Sequence, residues 1–176
     1  MRFRTKILWP VILIAGILAE CDSPGLISPE KIGSSRRNGI RTGTEAREII
    51  DRLHGLKVST EENLIATYGQ DKMDLLYVSS YTNNLLARKA FGLMTRKIAK
   101  TKAGPFYHVM PLKKYGGRAF ITLGMGATHY IFFSGRFLIW FQTYQSFGQV
   151  LPEELTELYP VKVVEPEMIG QQDPQR

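Results

Sequence analysis

The segment THYIFFSGRFLIWFQTY, residues 128–144, constrains this chain most, because it has no polar face to give to water. A two-residue Ser134-Gly135 loop would make it a hairpin and fix its register. Thr128 then pairs with Phe141, Tyr130 with Ile139 and Phe132 with Phe137 on one face. His129 pairs with Trp140 and Ile131 with Leu138 on the other, since successive strand residues alternate. Both faces come out apolar, whereas a sheet packed on one side only should alternate apolar with polar. Three explanations compete. The hairpin is central and its second face is covered by residues of the loop 101–117 or of the N-terminal stretch. Or that face packs against another subunit or a partner protein. Or it lines an apolar pocket. The polar handles of His129 and Trp140, with Ile131 and Leu138 between them, make this the candidate ligand or partner face.

The rest of the domain reads as strands and helices in alternation. Thr42 and Glu45 have capping-box spacing, and Ala46, Ile49, Ile50 and Leu53 follow on one helical face up to a stop at Gly55. Strands are expected at Asn63–Tyr68 and Met73–Tyr81 around a Gly69–Lys72 turn. Thr82 caps a second helix running to about Ala99, with Ala87, Ala90, Phe91, Met94 and Ile98 on one face. Lys89, Arg96 and Lys100 lie nearly opposite and read as a solvated stripe. Strands at Phe106–Leu112 and Arg118–Leu123 follow, and a last short helix runs from Glu153 to about Tyr159 behind Pro152. Residues 63–99 and 128–159 share a strand, turn, strand, helix pattern. The fold class is therefore α+β: an antiparallel β-sheet of two similar halves with two or three helices on one face.

Ahead of this domain, Arg2, Arg4 and Lys6 precede an uncharged apolar run from Ile7 to Ala19, 13 residues long. A membrane-spanning helix needs about 20, and a secretory signal core about 7–15, so residues 1–20 read as an export signal. Cys21 is the only cysteine, so no internal disulfide forms. Its place after Leu18 and Ala19 resembles the site at which bacterial lipoproteins are acylated. Glu20 stands where that pattern has Gly, Ala or Ser, and ordinary cleavage after Ala19 or Cys21 is the alternative. The expected location is the periplasm, free or anchored through Cys21. Losing residues 1–20 takes the formal charge from +7 to +5, because three cations and one anion leave. Residues 21–43 read as a flexible tether rich in Pro, Gly and Ser, residues 44–165 as the single domain, and residues 166–176 as a disordered tail.

Three stretches, EAREIIDRLHG, LLYVSSY and LGMGATHYIFFSGRFLIWF, resemble an uncharacterised family of exported bacterial α+β domains. The resemblance spans roughly residues 44–158. It implies fold and export and carries over no catalytic residue.

Catalytic and metal motifs are missing from the sequence. The three histidines, His54, His108 and His129, have no zinc-ligand spacing. Gly124-Met125-Gly126 lacks the glycine spacing and the Lys-Ser/Thr pair of a phosphate loop, and no Gly-x-Ser-x-Gly elbow occurs. The expectation is a non-enzymatic envelope binding or assembly domain without cofactor or metal. Its partner is an envelope protein, a second copy of the chain or an apolar small molecule, and not nucleic acid. A small envelope hydrolase using His129 is the alternative.

Overall fold

A computed structural model describes residues 25–54, 60, 62–71, 73–101 and 104–162. The expected export signal, Cys21 and the tail 166–176 lie outside the described residues. Among the described residues no helix is long and apolar enough to cross a membrane.

The described residues form eight strands and three α-helices. They are β1 (Lys31–Ile32), β2 (Ser35–Thr42), α1 (Gly43–His54), β3 (Glu62–Tyr68), β4 (Asp74–Ser80), α2 (Asn84–Lys100), β5 (Phe106–Pro111), β6 (Ala119–Gly124), β7 (Ala127–Ser134), β8 (Phe137–Thr143) and α3 (Glu153–Leu158). All the strands pair antiparallel in one sheet of order β1-β2-β3-β4-β8-β7-β6-β5. Two meanders, β1–β4 and β5–β8, thus join edge to edge at β4 and β8. The link from β2 to β3 carries α1, and the link from β4 to β5 carries α2. The sheet dominates this α+β fold.

The hairpin β7–β8 sits inside the sheet, flanked by β6 and β4. Its turn is Gly135-Arg136 rather than Ser134-Gly135, so Ser134 faces Phe137, Phe132 faces Ile139 and Ile131 faces Trp140. Gly135 has φ +53 and leads the loop, the place glycine takes in one of the two favoured hairpin turns. The pairing moves by two residues, and an even step leaves every side chain on its expected face.

One face carries the larger core. Leu64, Ala66, Leu76, Val78, Tyr130, Phe132, Ile139 and Phe141 stack across the strands, and the sheet curls so that Ile32 of β1 and Ile121 of β6 join the same core. Leu151, Leu155 and Tyr159 close it from the C-terminal side. Each such side chain contributes about 1.5–3 kcal/mol on full burial. On the opposite face α1 sets Ala46 and Ile50 on Ile65, and α2 sets Phe91 on Ile131 and Phe133. The expectation of all helices on one face is corrected here: α3 packs on the face opposite α1 and α2. Leu155 is the reason, since its side chain completes the core from which the curled sheet leaves one side open.

A second correction concerns residues 21–43. Residues 31–42 form strands rather than a tether, with Ile32 fully buried. Their apolar signal is weak because β2 lies near the sheet margin and alternates half-buried with exposed residues. Thr42 ends β2 and does not cap α1. Glu45 pairs with Arg41 at 2.8 Å instead. For α2 the cap is Asn83, whose side chain accepts from the Leu86 amide at 3.0 Å.

Candidate functional site

The face singled out by sequence lies under α2. His129 and Ile131 are buried, and Leu138 and Trp140 are half-buried. Across β7 and β8, Trp140 stands opposite Ile131 and diagonal to His129. That diagonal brings the indole N–H to His129 Nδ1 at 3.0 Å. An indole N–H only donates, so Nδ1 must accept, and the proton of the neutral ring sits on Nε2. Nε2 donates to the Gly124 carbonyl at 3.0 Å. Burial pushes the His129 pKa down, with the Gly124 hydrogen bond opposing it, so the ring is held neutral. Phe106 of β5 closes the face, edge-on to His129 at 5.0 Å and to Trp140 at 5.3 Å between ring centres. Gly124 allows this approach: a Cβ there would stand 2.5 Å from both Phe106 Cδ1 and the Pro105 carbonyl oxygen.

Both ring nitrogens of His129 are therefore committed. To act as a base, Nδ1 would have to release the indole, inside a site filled by Phe106.

Beside this covered patch, on the same face of the sheet, lies an open groove of about 450 Å³. One wall is the flank of α2, with Arg88, Gly92 and Arg96. The other is the Gly116–Arg118 loop. Its floor is aromatic: Phe91 contacts Phe120 at 5.5 Å and Phe133 at 5.1 Å between centres. Arg118 stacks over Phe133 at 5.5 Å. Among the described residues, none of Arg88, Arg96 and Arg118 has an ion pair or a side-chain hydrogen bond. The groove thus offers three guanidinium forks, each able to take a carboxylate or phosphate in two parallel hydrogen bonds, over a floor that suits an apolar body.

Sequence reasoning missed the groove. Of its arginines the helical periodicity marks only Arg96, and places it in a solvated stripe. A readable signal existed in charge order rather than in periodicity. From Leu75 to Pro152 the chain carries ten Lys and Arg and no Asp or Glu. Cations without anions nearby leave a positive field for an outside partner.

A polar knot on the far side of the molecule is structural. Buried Asp74 accepts from Ser35 Oγ at 3.0 Å, from Gln145 Nε2 at 2.6 Å and from the Tyr144 amide at 2.9 Å. Gln145 also accepts from the Ser34 amide at 2.8 Å, and Glu154 of α3 accepts from the Gly33 amide at 2.8 Å. Among the described residues no group of three or more His, Cys, Asp or Glu could hold a metal ion.

Compared with known proteins, the chain matches no family model, no curated protein and no solved structure. Its site stands on geometry alone.

Proposed function

We propose that this chain is a non-enzymatic binding domain of the bacterial envelope, exported and tethered through Cys21, that takes an anionic ligand with an apolar body. The ligand lies on the sheet face that bears Trp140, in the groove between α2 and the Gly116–Arg118 loop. The observation that carries this reading is the set of three unpaired arginines over Phe91, Phe120 and Phe133. A volume of about 450 Å³ falls within the usual range for small-molecule sites. The closed hydrogen bonds of His129 support binding over hydrolysis.

Titration calorimetry tests the reading with two twelve-carbon amphiphiles kept below micelle formation, dodecyl phosphate and dodecyl maltoside. The phosphate is expected to bind and the maltoside to give no saturable heat. Each charge-assisted contact contributes about 1.5–3 kcal/mol, so Arg118→Gln should weaken the phosphate by roughly tenfold or more. Equal binding of both amphiphiles, or an Arg118→Gln/Arg88→Gln protein that binds like the wild type, sinks the proposal.

A further inference from the structure

The outward side of α2 carries a pattern that core packing does not use. Ala87, Phe91 and Thr95 are the buried residues of this helix. Leu86, Lys89, Leu93, Lys97 and Lys100 follow the i, i+3, i+4 rhythm along the opposite side, and all five are exposed. Leu86 is 41% exposed, Leu93 55% and the neighbouring Leu85 69%. The helix contains no acidic residue, and Arg96 and Lys100 stand one turn apart with like charge. An ordinary solvated helix relieves that repulsion with interleaved Glu. Here Leu93 stands between Lys89 and Lys97, and Leu85 and Leu86 precede the first cation, where interleaved Glu would otherwise be expected.

We propose that this face of α2 docks on an anionic lipid surface, with Leu85, Leu86 and Leu93 entering the head-group layer and Lys89, Lys97 and Lys100 meeting the phosphates. Charge complementarity selects the occupant. A basic amphipathic helix with exposed leucines matches a bilayer interface. The cations of the stripe are lysines, point charges on flexible stems that reach past buried leucines to mobile phosphates. The groove, in contrast, uses the rigid forks of arginine. From Leu86 to Lys100 the stripe runs roughly 21 Å at the rise of an α-helix, a surface several head groups long. This contact is separate from a lipid at Cys21 and from the ligand in the groove. It would lay the groove's arginine rim beside the membrane.

The test uses the full chain with Cys21→Ser, which removes the acylation site and leaves no other cysteine. An environment-sensitive dye is then placed through Leu93→Cys, or through Glu157→Cys at an exposed position of α3 as the control. Vesicles of phosphatidylcholine are compared with vesicles that also contain phosphatidylglycerol. The dye at position 93 is expected to shift blue only on the anionic vesicles, and added salt should reverse the shift. The dye at position 157 should stay silent. A Lys or Arg at such a surface contributes roughly fivefold in partitioning, so Lys89→Gln/Lys97→Gln should lower binding roughly twenty-fivefold with unchanged thermal melting. Equal partitioning on both vesicle types overturns the proposal. So does sedimentation with vesicles while the dye at 93 stays silent, because another segment then binds. A shift at 93 caused by polyglutamate and not by anionic vesicles also overturns it, and assigns the face to an acidic peptide.

Discussion

His129 and Trp140 drew notice in the sequence as polar groups in an apolar hairpin, and the structure answers each with the other. The indole N–H meets Nδ1 and the Gly124 carbonyl meets Nε2. Removing the donor should therefore cost more than removing the same area of apolar ring. Trp140→Phe leaves a buried Nδ1 without a partner, at about 1–3 kcal/mol, measured by urea unfolding at neutral pH. The same pair sets a pH dependence. The folded ring is neutral with its pKa lowered mainly by burial. The unfolded ring titrates at about 6.5. Below that pH the unfolded chain takes up a proton that the folded chain does not, so stability falls as pH drops under about 6.5, by up to 1.4 kcal/mol per unit until the folded ring titrates. Unfolding at pH 7.5 and pH 5.5 checks the sign. His129→Gln should lose about 1 kcal/mol less than wild type across that window. An identical loss in both would assign the slope to other groups.

At the scale of elements, apolar periodicity was legible wherever a strand or helix packs on both sides or presents one clean face. The hairpin β3–β4, the helix α2 and the strands β7 and β8 lie within a residue or two of where alternation and capping place them. The β7–β8 turn shows the limit of that reading. Serine and glycine both suit turns, and choosing between them needed the positive φ that only Gly135 takes. The missed element is β1–β2. Its sequence KIGSSRRNGIRT holds two large apolar residues, and its attachment is polar, through Asp74, Gln145 and the serines at 34 and 35. Hydrogen-bond partners that sit 39 and 111 residues apart leave no local pattern to read. The attachment predicts its own failure. Asp74→Ala removes the acceptor shared by the Tyr144 amide, Ser35 Oγ and Gln145 Nε2, costing about 1–3 kcal/mol. Limited proteolysis should then cut near Arg36 or Arg37 while the rest of the sheet stays resistant. Cleavage spread evenly over the chain would instead make the knot a support of the whole sheet.

For the whole molecule, the two-sided apolar character of residues 128–144 left a central position as one of three readings, while strand order stayed hidden because β4 meets β8 across a gap of more than fifty residues. The groove was hidden for a similar reason: Arg88, Arg96, Arg118 and the three phenylalanines come from three elements and one loop. The observed order makes a hierarchy of stability. β4 and β8 are bonded on both edges and packed on both faces, so their amides open only with the whole domain. The outer strands differ. β1 has two residues, and β5 pairs on one edge, carries an irregular register and holds His108 at φ +54, outside the ordinary range for a side-chain-bearing residue. Native-state hydrogen exchange followed by NMR should find the slowest amides in β4 and β8, exchanging at the free energy of global unfolding. Those of β1 and β5 should exchange several kcal/mol lower, through openings that urea does not accelerate. α2 belongs between these limits, because it rests on the sheet through few residues and leaves its outward side to solvent. Exchange of β5 at the same free energy as β8 would mean that the edge opens only with the centre. The Phe106 contact with His129 and Trp140 would then be part of the global core rather than a cover laid over it.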